Sequence, residues 1–245
     1  ILRDIIATIK EDSSNYKVII DNYLKELENN IYSKFKSNKD VGNQDIDKGR
    51  LFLATEITFR IIKNYLEQVK LELEVTEITV FELEKKYNHI LKIGNEEIQL
   101  KGFVDRIDLR NNKVTILDYK TGKVDEKNLQ FSDMPTLFTD PDQKILFQLF
   151  FYSYLYCKNN SSFETPLTCG IISFREINMN TGKSILFPSI SNSIDGNTIS
   201  ADLIDAFEAS LKEILTEIFN PSIPFRRTEE SDHCKYCDYK QICGR

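Results

Sequence analysis

Four stretches of the chain repeat apolar residues every three or four positions, which is the spacing of one helix face. They predict helices over residues 1–36, 49–73, 143–156 and 200–219. Ser200 stands at the N-cap position of the last helix, and Asn220-Pro221 ends it. Its apolar stripe consists of Leu203, Phe207, Leu211, Ile214 and Ile218.

Other stretches alternate apolar and polar residues or concentrate β-branched ones, as strands do. In residues 77–87, Phe81 and Leu83 alternate with Glu82 and Glu84. Together with the helices, these stretches predict an α/β domain, and the proline-containing residues 123–142 are predicted to form a loop. The other predicted strands are residues 91–100 with a turn at Gly94-Asn95, two strands within 101–123 joined at Arg110-Asn111-Asn112, residues 168–174 and residues 183–187.

Length and composition favour one ordinary globular domain. The chain has 245 residues, of which 41% are hydrophobic and 29% charged. It contains no apolar run approaching the ~20 residues of a membrane span, so no membrane partner is expected. The first residues lack a secretory signal, and the five cysteines do not suggest a secreted disulfide framework, so we expect a cytoplasmic protein. The missing initial Met indicates an excised fragment.

The net charge of -6 does not attract nucleic acid by itself. Any contact with DNA must therefore come from a local basic patch, although such charges more often form a solvated face. The basic residues close to the central strands in sequence are Lys85, Lys86, Lys101, Arg106, Lys120 and Lys123.

The strongest chemical signal lies in the segment KGFVDRIDLRNNKVTILDYKTGK, residues 101–123. Strand alternation places Asp118 and Lys120 on one face, with Tyr119 on the other. Antiparallel pairing across the short turn brings Asp105 towards Asp118. Because two adjacent carboxylates repel unless a cation lies between them, and because hard oxygen ligands favour Mg²⁺ or Mn²⁺, these residues predict a metal site.

The spacing GFVD, ILDYKTG and then QLFFY resembles the RecB/AddB-type branch of the PD-(D/E)XK nuclease superfamily. The resemblance implies a restriction-endonuclease-like mixed sheet flanked by helices. It places a helical N-terminal extension at residues 1–47 and the nuclease domain at 48–245, with a Cys-rich tail at 232–245. The implied function is metal-dependent cleavage of DNA, exonucleolytic and acting in recombination or repair. The implied context is the C-terminal domain of a helicase-nuclease-like protein, with DNA and a helicase domain or subunit as partners.

The resemblance also implies roles for individual residues. Asp105, Asp118 and the Tyr119 carbonyl would hold Mg²⁺ or Mn²⁺, and Lys120 would orient the attacking water. Glu84 matches a glutamate that precedes the GxxD strand, and a half-exposed sheet face explains it equally well. Gln148 and Tyr152, one helical turn apart, would approach the metal or a phosphate, or belong to an amphipathic core helix.

One position departs from the family pattern. Many RecB-type nucleases carry a metal-binding His four residues after a Gly on the second long helix, and this chain has Leu53 there, four residues after Gly49. Glu56, one turn further along, is the alternative ligand, against a surface or salt-bridged glutamate. The departure supports a rival interpretation, a catalytically degenerate DNA-binding or scaffolding module. Another rival is a purely structural cation site, and Lys120 argues against both.

Three cysteines close the chain as C-x₂-C-x₅-C: Cys234, Cys237 and Cys243. This spacing is typical of a metal site, and the resemblance implies an iron-sulfur cluster. The fourth ligand is not identified, and Cys157, Cys169 and His233 are the options within the chain. Zinc and metal-free packing cysteines remain the alternatives.

Overall fold

The computed structural model of the protein describes residues 2–37, 48–160, 165–175, 177, 184–191, 193, 195–224, 226, 234–235 and 237–244. The helices in this part of the chain are α1 (Leu2–Glu11), α2 (Tyr16–Ser37), α3 (Gly49–Val75), α4 (Met134–Thr139), α5 (Lys144–Asn159) and α6 (Ala201–Phe219). The strands are β1 (Ile78–Ile93), β2 (Glu96–Arg110), β3 (Lys113–Lys120), β4 (Gln130–Phe131), β5 (Leu167–Ser173) and β6 (Ser189–Ile190).

A mixed four-stranded sheet organises these elements, in the order β1-β2-β3-β5. The first three strands are antiparallel neighbours, and β5 joins β3 in parallel after the crossover through α5. The predicted α/β class, with a restriction-endonuclease-like sheet flanked by helices, is confirmed. None of the helices that the structure describes is long and apolar enough to span a membrane.

The predicted turns have the backbone geometry that their residues favour. Asn111 and Asn112 join β2 to β3 with φ of 47° and 62°, in the left-handed region that asparagine tolerates better than most residues. Gly94, between β1 and β2, has φ of 57°. These two tight turns set the register of the three antiparallel strands, and that register positions the acidic residues.

The sheet has a hydrophobic core on each face. On one face, α5 and α6 cover Val114 and Ile116 of β3, with Phe150 and Phe207 fully buried among them. On the other face, α1, α2 and α3 pack around Leu117, the next residue along β3. The alternation of β3 therefore assigns the odd and even residues of this strand to different cores.

Three sequence predictions need correction. Residues 1–36 are not one helix, because Asp12 accepts hydrogen bonds from Ser14 and Asn15 at 2.7 Å and ends α1 before α2 begins. Residues 123–142 are not a plain loop: they contain β4 and α4, since Leu129 and Leu137 are buried in the core. Of the predicted strand 183–187, Leu186 forms an isolated antiparallel bridge with Ile171, and Lys183 lies outside the described residues.

Strand β1 also departs from simple alternation. Its register with β2 shifts between Val80 and Glu82, so that Phe81 is left exposed while Leu83 packs into the core with α1 to α3. The bulge raises the local twist of the strand and redirects the side chains that follow it. It therefore separates Phe81 from Leu83, which the alternation had placed on one face.

Candidate active site

Strands β2 and β3 separate at the acidic residues. Their pairing ends at Arg106 and Leu117, and one more step of the same register places Asp105 across from Asp118. The main-chain N–H of Tyr119 donates to Asp105 Oδ2 at 2.9 Å. The Asp105 side chain thus bridges the two strands at the point where their main-chain ladder ends.

Asp118 lies at the buried end of β3, with its side chain only 5% exposed. Its Oδ2 atom is 2.8 Å from Lys120 Nζ, yet among the described residues Oδ2 accepts no hydrogen bond of good geometry. Burial raises the pKa of the Asp118 carboxyl, Lys120 lowers it, and the neighbouring Asp105 raises it. The site therefore holds a buried carboxylate whose Oδ2 atom is paired with Lys120 Nζ but accepts no well-oriented hydrogen bond among the described residues.

Helix α5 contributes the two polar residues that the sequence singled out on it. Gln148 Oε1 accepts from Lys120 Nζ at 2.8 Å, and Gln148 Nε2 donates to Asp118 Oδ1 at 3.2 Å. The same Nε2 donates to the Tyr152 hydroxyl at 2.9 Å. Because Gln148 contacts both the acid and the lysine, α5 determines the relative position of the two charged groups.

Tyr119 has its main chain at the site and its ring in the opposite core. The ring stacks on Phe174 with a centroid distance of 5.6 Å, and its hydroxyl is 3.4 Å from the Tyr65 hydroxyl. Tyr65 also accepts a hydrogen bond of 3.0 Å from Arg106 Nη1. A buried polar group on α3 thereby steadies the end of β3.

A sequence profile of the PD-(D/E)XK nuclease superfamily matches residues 14–244, nearly the whole chain. The chain belongs to the PD-(D/E)XK nuclease superfamily. A search of curated proteins finds no significant match. Among solved structures, the crystal structure of SSO0001 is similar over 88% of this chain and 79% of its own, at 15% identity and a TM-score of 0.32, which is too low to bear on fold or function.

Nucleases of the PD-(D/E)XK superfamily typically hydrolyse phosphodiester bonds with a metal ion, commonly Mg²⁺ or Mn²⁺. The oxygen ligands at the split between β2 and β3 fit such an ion, because Asp105 and Asp118 supply hard carboxylate oxygens and the buried Asp118 Oδ2 accepts no well-oriented hydrogen bond among the described residues. Mg²⁺ keeps several waters and needs only one or two carboxylates from the protein. Asp105 and Asp118 are therefore enough protein carboxylates for a Mg²⁺ site.

The side chains of the two other predicted acidic residues contact or face the N-terminal helices of the fold. Glu84 falls opposite Asp105 in the strand register, has φ of 48°, and forms a salt bridge of 3.1 Å with Arg3. Glu56 lines a groove between α2 and α3, and Leu53 is 58% exposed. Among the described residues, no three His, Cys, Asp or Glu side chains are grouped to hold a metal. The roles of Glu56 and Glu84 stay predictions.

Arg106 is not part of a surface patch. It is buried, and its Nε donates to Asp108 Oδ1 at 2.7 Å. Asp108 Oδ2 accepts from Arg110 Nη1 at 2.9 Å, and Arg110 also pairs with Glu72 of α3. The signal for this buried network was present in the sequence, because Arg106, Asp108 and Arg110 alternate along one strand face.

The tail cysteines do not form a metal site within the part of the chain that the structure describes. Cys234 and Cys237 lie in a turn in which the Cys237 N–H donates to the Cys234 carbonyl at 3.2 Å. Cys169 is buried in β5, where burial raises the pKa of its thiol to about 12. His233 lies outside the described residues. The geometry gives an iron-sulfur cluster no support.

Proposed function

We propose that this protein is a metal-dependent deoxyribonuclease that hydrolyses phosphodiester bonds at the split between β2 and β3. The observation that carries the proposal is the convergence of Asp105, Asp118 and Lys120 from two strands, with Gln148 of α5 contacting both Asp118 and Lys120. A structural cation site would not require a lysine held beside the acids. A nuclease does, because negative charge develops on the phosphate during hydrolysis.

The position of each residue at the site determines its proposed role. Asp105, Asp118 and the Tyr119 carbonyl would hold the Mg²⁺ or Mn²⁺ ion, which when bound lowers the pKa of a coordinated water and offsets charge on the phosphate. Lys120 Nζ lies 2.8 Å from Asp118 Oδ2 and donates to Gln148 Oε1 at 2.8 Å. Its ammonium group would orient the attacking water and stabilise the transition state.

Incubation of the protein with linear and circular DNA tests this function. We expect degradation in Mg²⁺ or Mn²⁺ and none when EDTA replaces the metal, because the two carboxylates need a cation to engage a phosphate. Acid-soluble nucleotides from linear DNA, with covalently closed circles left intact, would support an exonuclease. Equal degradation in EDTA would contradict the proposed mechanism.

Lys120→Ala is expected to lower the cleavage rate by about 10²-fold or more while leaving Mg²⁺ affinity within a few-fold of wild type. The physical reason is that the lysine acts on the water and the phosphate, whereas the carboxylates hold the metal. Single-turnover cleavage and metal titration by calorimetry measure the two quantities separately. Lys127→Ala, which removes an exposed lysine paired with Asp125, is the matched control. Loss of metal binding in Lys120→Ala would overturn this division of roles.

We further propose a branch of the superfamily, a mode of cleavage and a partner for this protein. The GFVDRID and LDYKTG spacing, together with Gln148 and Tyr152 at the site, supports the RecB/AddB branch and, with it, exonucleolytic action in DNA recombination or repair. We propose a cytoplasmic location as well. We also propose a helicase domain or subunit as partner. Residues 48–245 would form the nuclease domain with 1–47 as its extension, although α1 and α2 share a core with α3 and the sheet.

Leu53 favours a second candidate function, a catalytically inactive DNA-binding or scaffolding module of the same fold. The exposed leucine cannot ligate a metal, and Glu56 faces the groove between α2 and α3. Under this alternative the protein binds DNA at an affinity that Mg²⁺ does not change and cleaves none of it.

Elemental analysis of the purified protein will determine whether the cysteine tail carries iron, zinc or neither.

A further inference from the structure

The outer half of the β1–β2 hairpin leaves one entire face uncovered. Its other face packs on α5, where the space beside Gly102 is so small that an added Cβ would come within 2.7 Å of Leu155 and 3.2 Å of Tyr152. The uncovered face, here called the hairpin face, consists of Lys86, Asn88, Ile90 and Lys92 of β1 and Glu97, Gln99, Lys101 and Phe103 of β2. All eight side chains are exposed.

Phe103 is the most unusual of these residues, because 60% of it is exposed although it is a large aromatic side chain. Lys86, its partner across the strands, places Nζ 5.7 Å from the centre of the ring. Lys101 lies one pair further along, opposite Asn88. The arrangement combines an open aromatic surface with two ammonium groups.

The charge of the hairpin face is locally positive, in contrast to the acidic chain as a whole. Lys92 and Glu97 pair with each other at 3.2 Å and largely cancel. Neither Lys86 nor Lys101 has an acidic partner within 4 Å among the described residues, so both remain available to phosphates. Aromatic rings that stack on bases, with lysines along the backbone, are the usual means of binding single-stranded nucleic acid.

The hairpin face begins beside the proposed active site. Phe103 precedes Asp105 by two residues, about 7 Å along the strand, but its neighbour Val104 packs in the core with α5, so Phe103 lies on the opposite face of the sheet from Asp118 and Gln148. The pairing of β2 with β3 ends at Arg106, and no strand in the described part of the chain pairs with residues 96–105 on that edge. A flexible nucleotide chain can therefore pass around the free edge of β2 from the acids to the face that carries Phe103.

We propose that the hairpin face binds unpaired nucleotides of the DNA substrate, with Phe103 stacking on a base and Lys86 and Lys101 contacting flanking phosphates. This inference rests on the proposed nuclease function and specifies its substrate as DNA with an unpaired segment. A duplex does not satisfy the same surface, because its bases are already stacked and paired and offer no free ring to Phe103.

Binding in the cleavage-deficient Asp118→Asn background tests the inference by fluorescence anisotropy, with a labelled 20-nucleotide single strand and a blunt 20-base-pair duplex as probes. Phe103→Ala is expected to weaken single-strand binding by about 10-fold and to leave duplex binding unchanged. Phe103→Trp should retain the affinity for the single strand, because it keeps a stacking surface. Phe219→Ala is the matched control, since Phe219, at the end of α6, is 59% exposed.

The phosphate contacts of Lys86 and Lys101 are tested by the salt dependence of single-strand binding. Lys86→Ala combined with Lys101→Ala should reduce the slope of log affinity against log salt for the single strand by about 1.4, since each phosphate contact contributes about 0.7. A slope identical to that of the parent protein would contradict the phosphate contacts.

The outcomes separate this inference from the proposed function. If the wild-type protein degrades DNA while Phe103→Ala binds the single strand as tightly as its parent, the hairpin face does not bind unpaired nucleotides. The proposed nuclease function is then still supported. An equal loss for single strand and duplex would overturn stacking on unpaired bases. If Phe103→Ala selectively weakens single-strand binding but the wild-type protein cleaves no DNA, binding of unpaired nucleotides by the hairpin face is supported. The proposed nuclease activity is then contradicted.

Discussion

Asp118→Asn is expected to reduce Mg²⁺-dependent DNA cleavage by at least about 10³-fold, which corresponds to roughly 4 kcal/mol of lost transition-state stabilisation. The amide keeps the size of the carboxylate and an oxygen for the hydrogen bond from Gln148, but it removes the charge that a metal requires. Metal affinity and cleavage should therefore fall together, in contrast to the separation expected for Lys120→Ala.

The fold should survive the Asp118→Asn substitution. Burial and the Asp105 carboxylate both raise the Asp118 pKa, so the charged form is costly in the metal-free protein. We expect a thermal midpoint no lower than that of wild type, measured by circular dichroism in EDTA. Asp205→Asn, which changes an exposed carboxylate on α6, is the matched control for cleavage. A variant that cuts DNA as well as wild type would place the metal site elsewhere.

Asp108→Ala is expected to lower the free energy of unfolding by about 3–5 kcal/mol. Asp108 is fully buried between two arginines, with hydrogen bonds of 2.7 Å to Arg106 and 2.9 Å to Arg110. Without the carboxylate, Arg106 keeps a buried positive charge whose remaining partner in the described network is the Tyr65 hydroxyl. Breaking such a pair costs far more than the pair itself contributes, because the remaining charge stays desolvated.

Urea denaturation followed by far-ultraviolet circular dichroism measures this effect. Glu97→Ala, which breaks the exposed pair with Lys92, should change stability by less than about 1 kcal/mol and serves as the control. Asp108→Asn retains an acceptor for Arg106 and should fall between wild type and Asp108→Ala, which provides a measurable variant if alanine prevents folding. Equal effects of Asp108→Ala and Glu97→Ala would show that the buried network contributes no more than a surface pair.

The buried network also bears on the site. Arg106 ends the pairing of β2 with β3 and donates to Tyr65, whose hydroxyl lies 3.4 Å from that of Tyr119. The main chain of Tyr119 in turn donates to Asp105. A loss of stability in the network should therefore reach Asp105 and Asp118 through the end of β3.

Much of the site followed from local periodicity. Alternation along β3 assigned Asp118 and Lys120 to one face and Tyr119 to the other, and the structure places them so. The asparagine turn set the register that brings Asp105 opposite Asp118. Helical spacing put Gln148 and Tyr152 on one side of α5, where they form a hydrogen bond. These relations depend on residues near in sequence, whose geometry the backbone repeat determines.

What the tertiary structure alone decided is which faces are covered and which long-range partners meet. Arg106 had the same basic character as Lys86 and Lys101, but it lies under α3 whereas they lie on the uncovered half of the hairpin. Glu56 was one turn from the position expected for a ligand, yet the packing of α2 against α3 directs it to their groove. Periodicity specifies the face on which a side chain lies, and only the packing of distant segments determines whether that face meets a core, a catalytic partner or solvent.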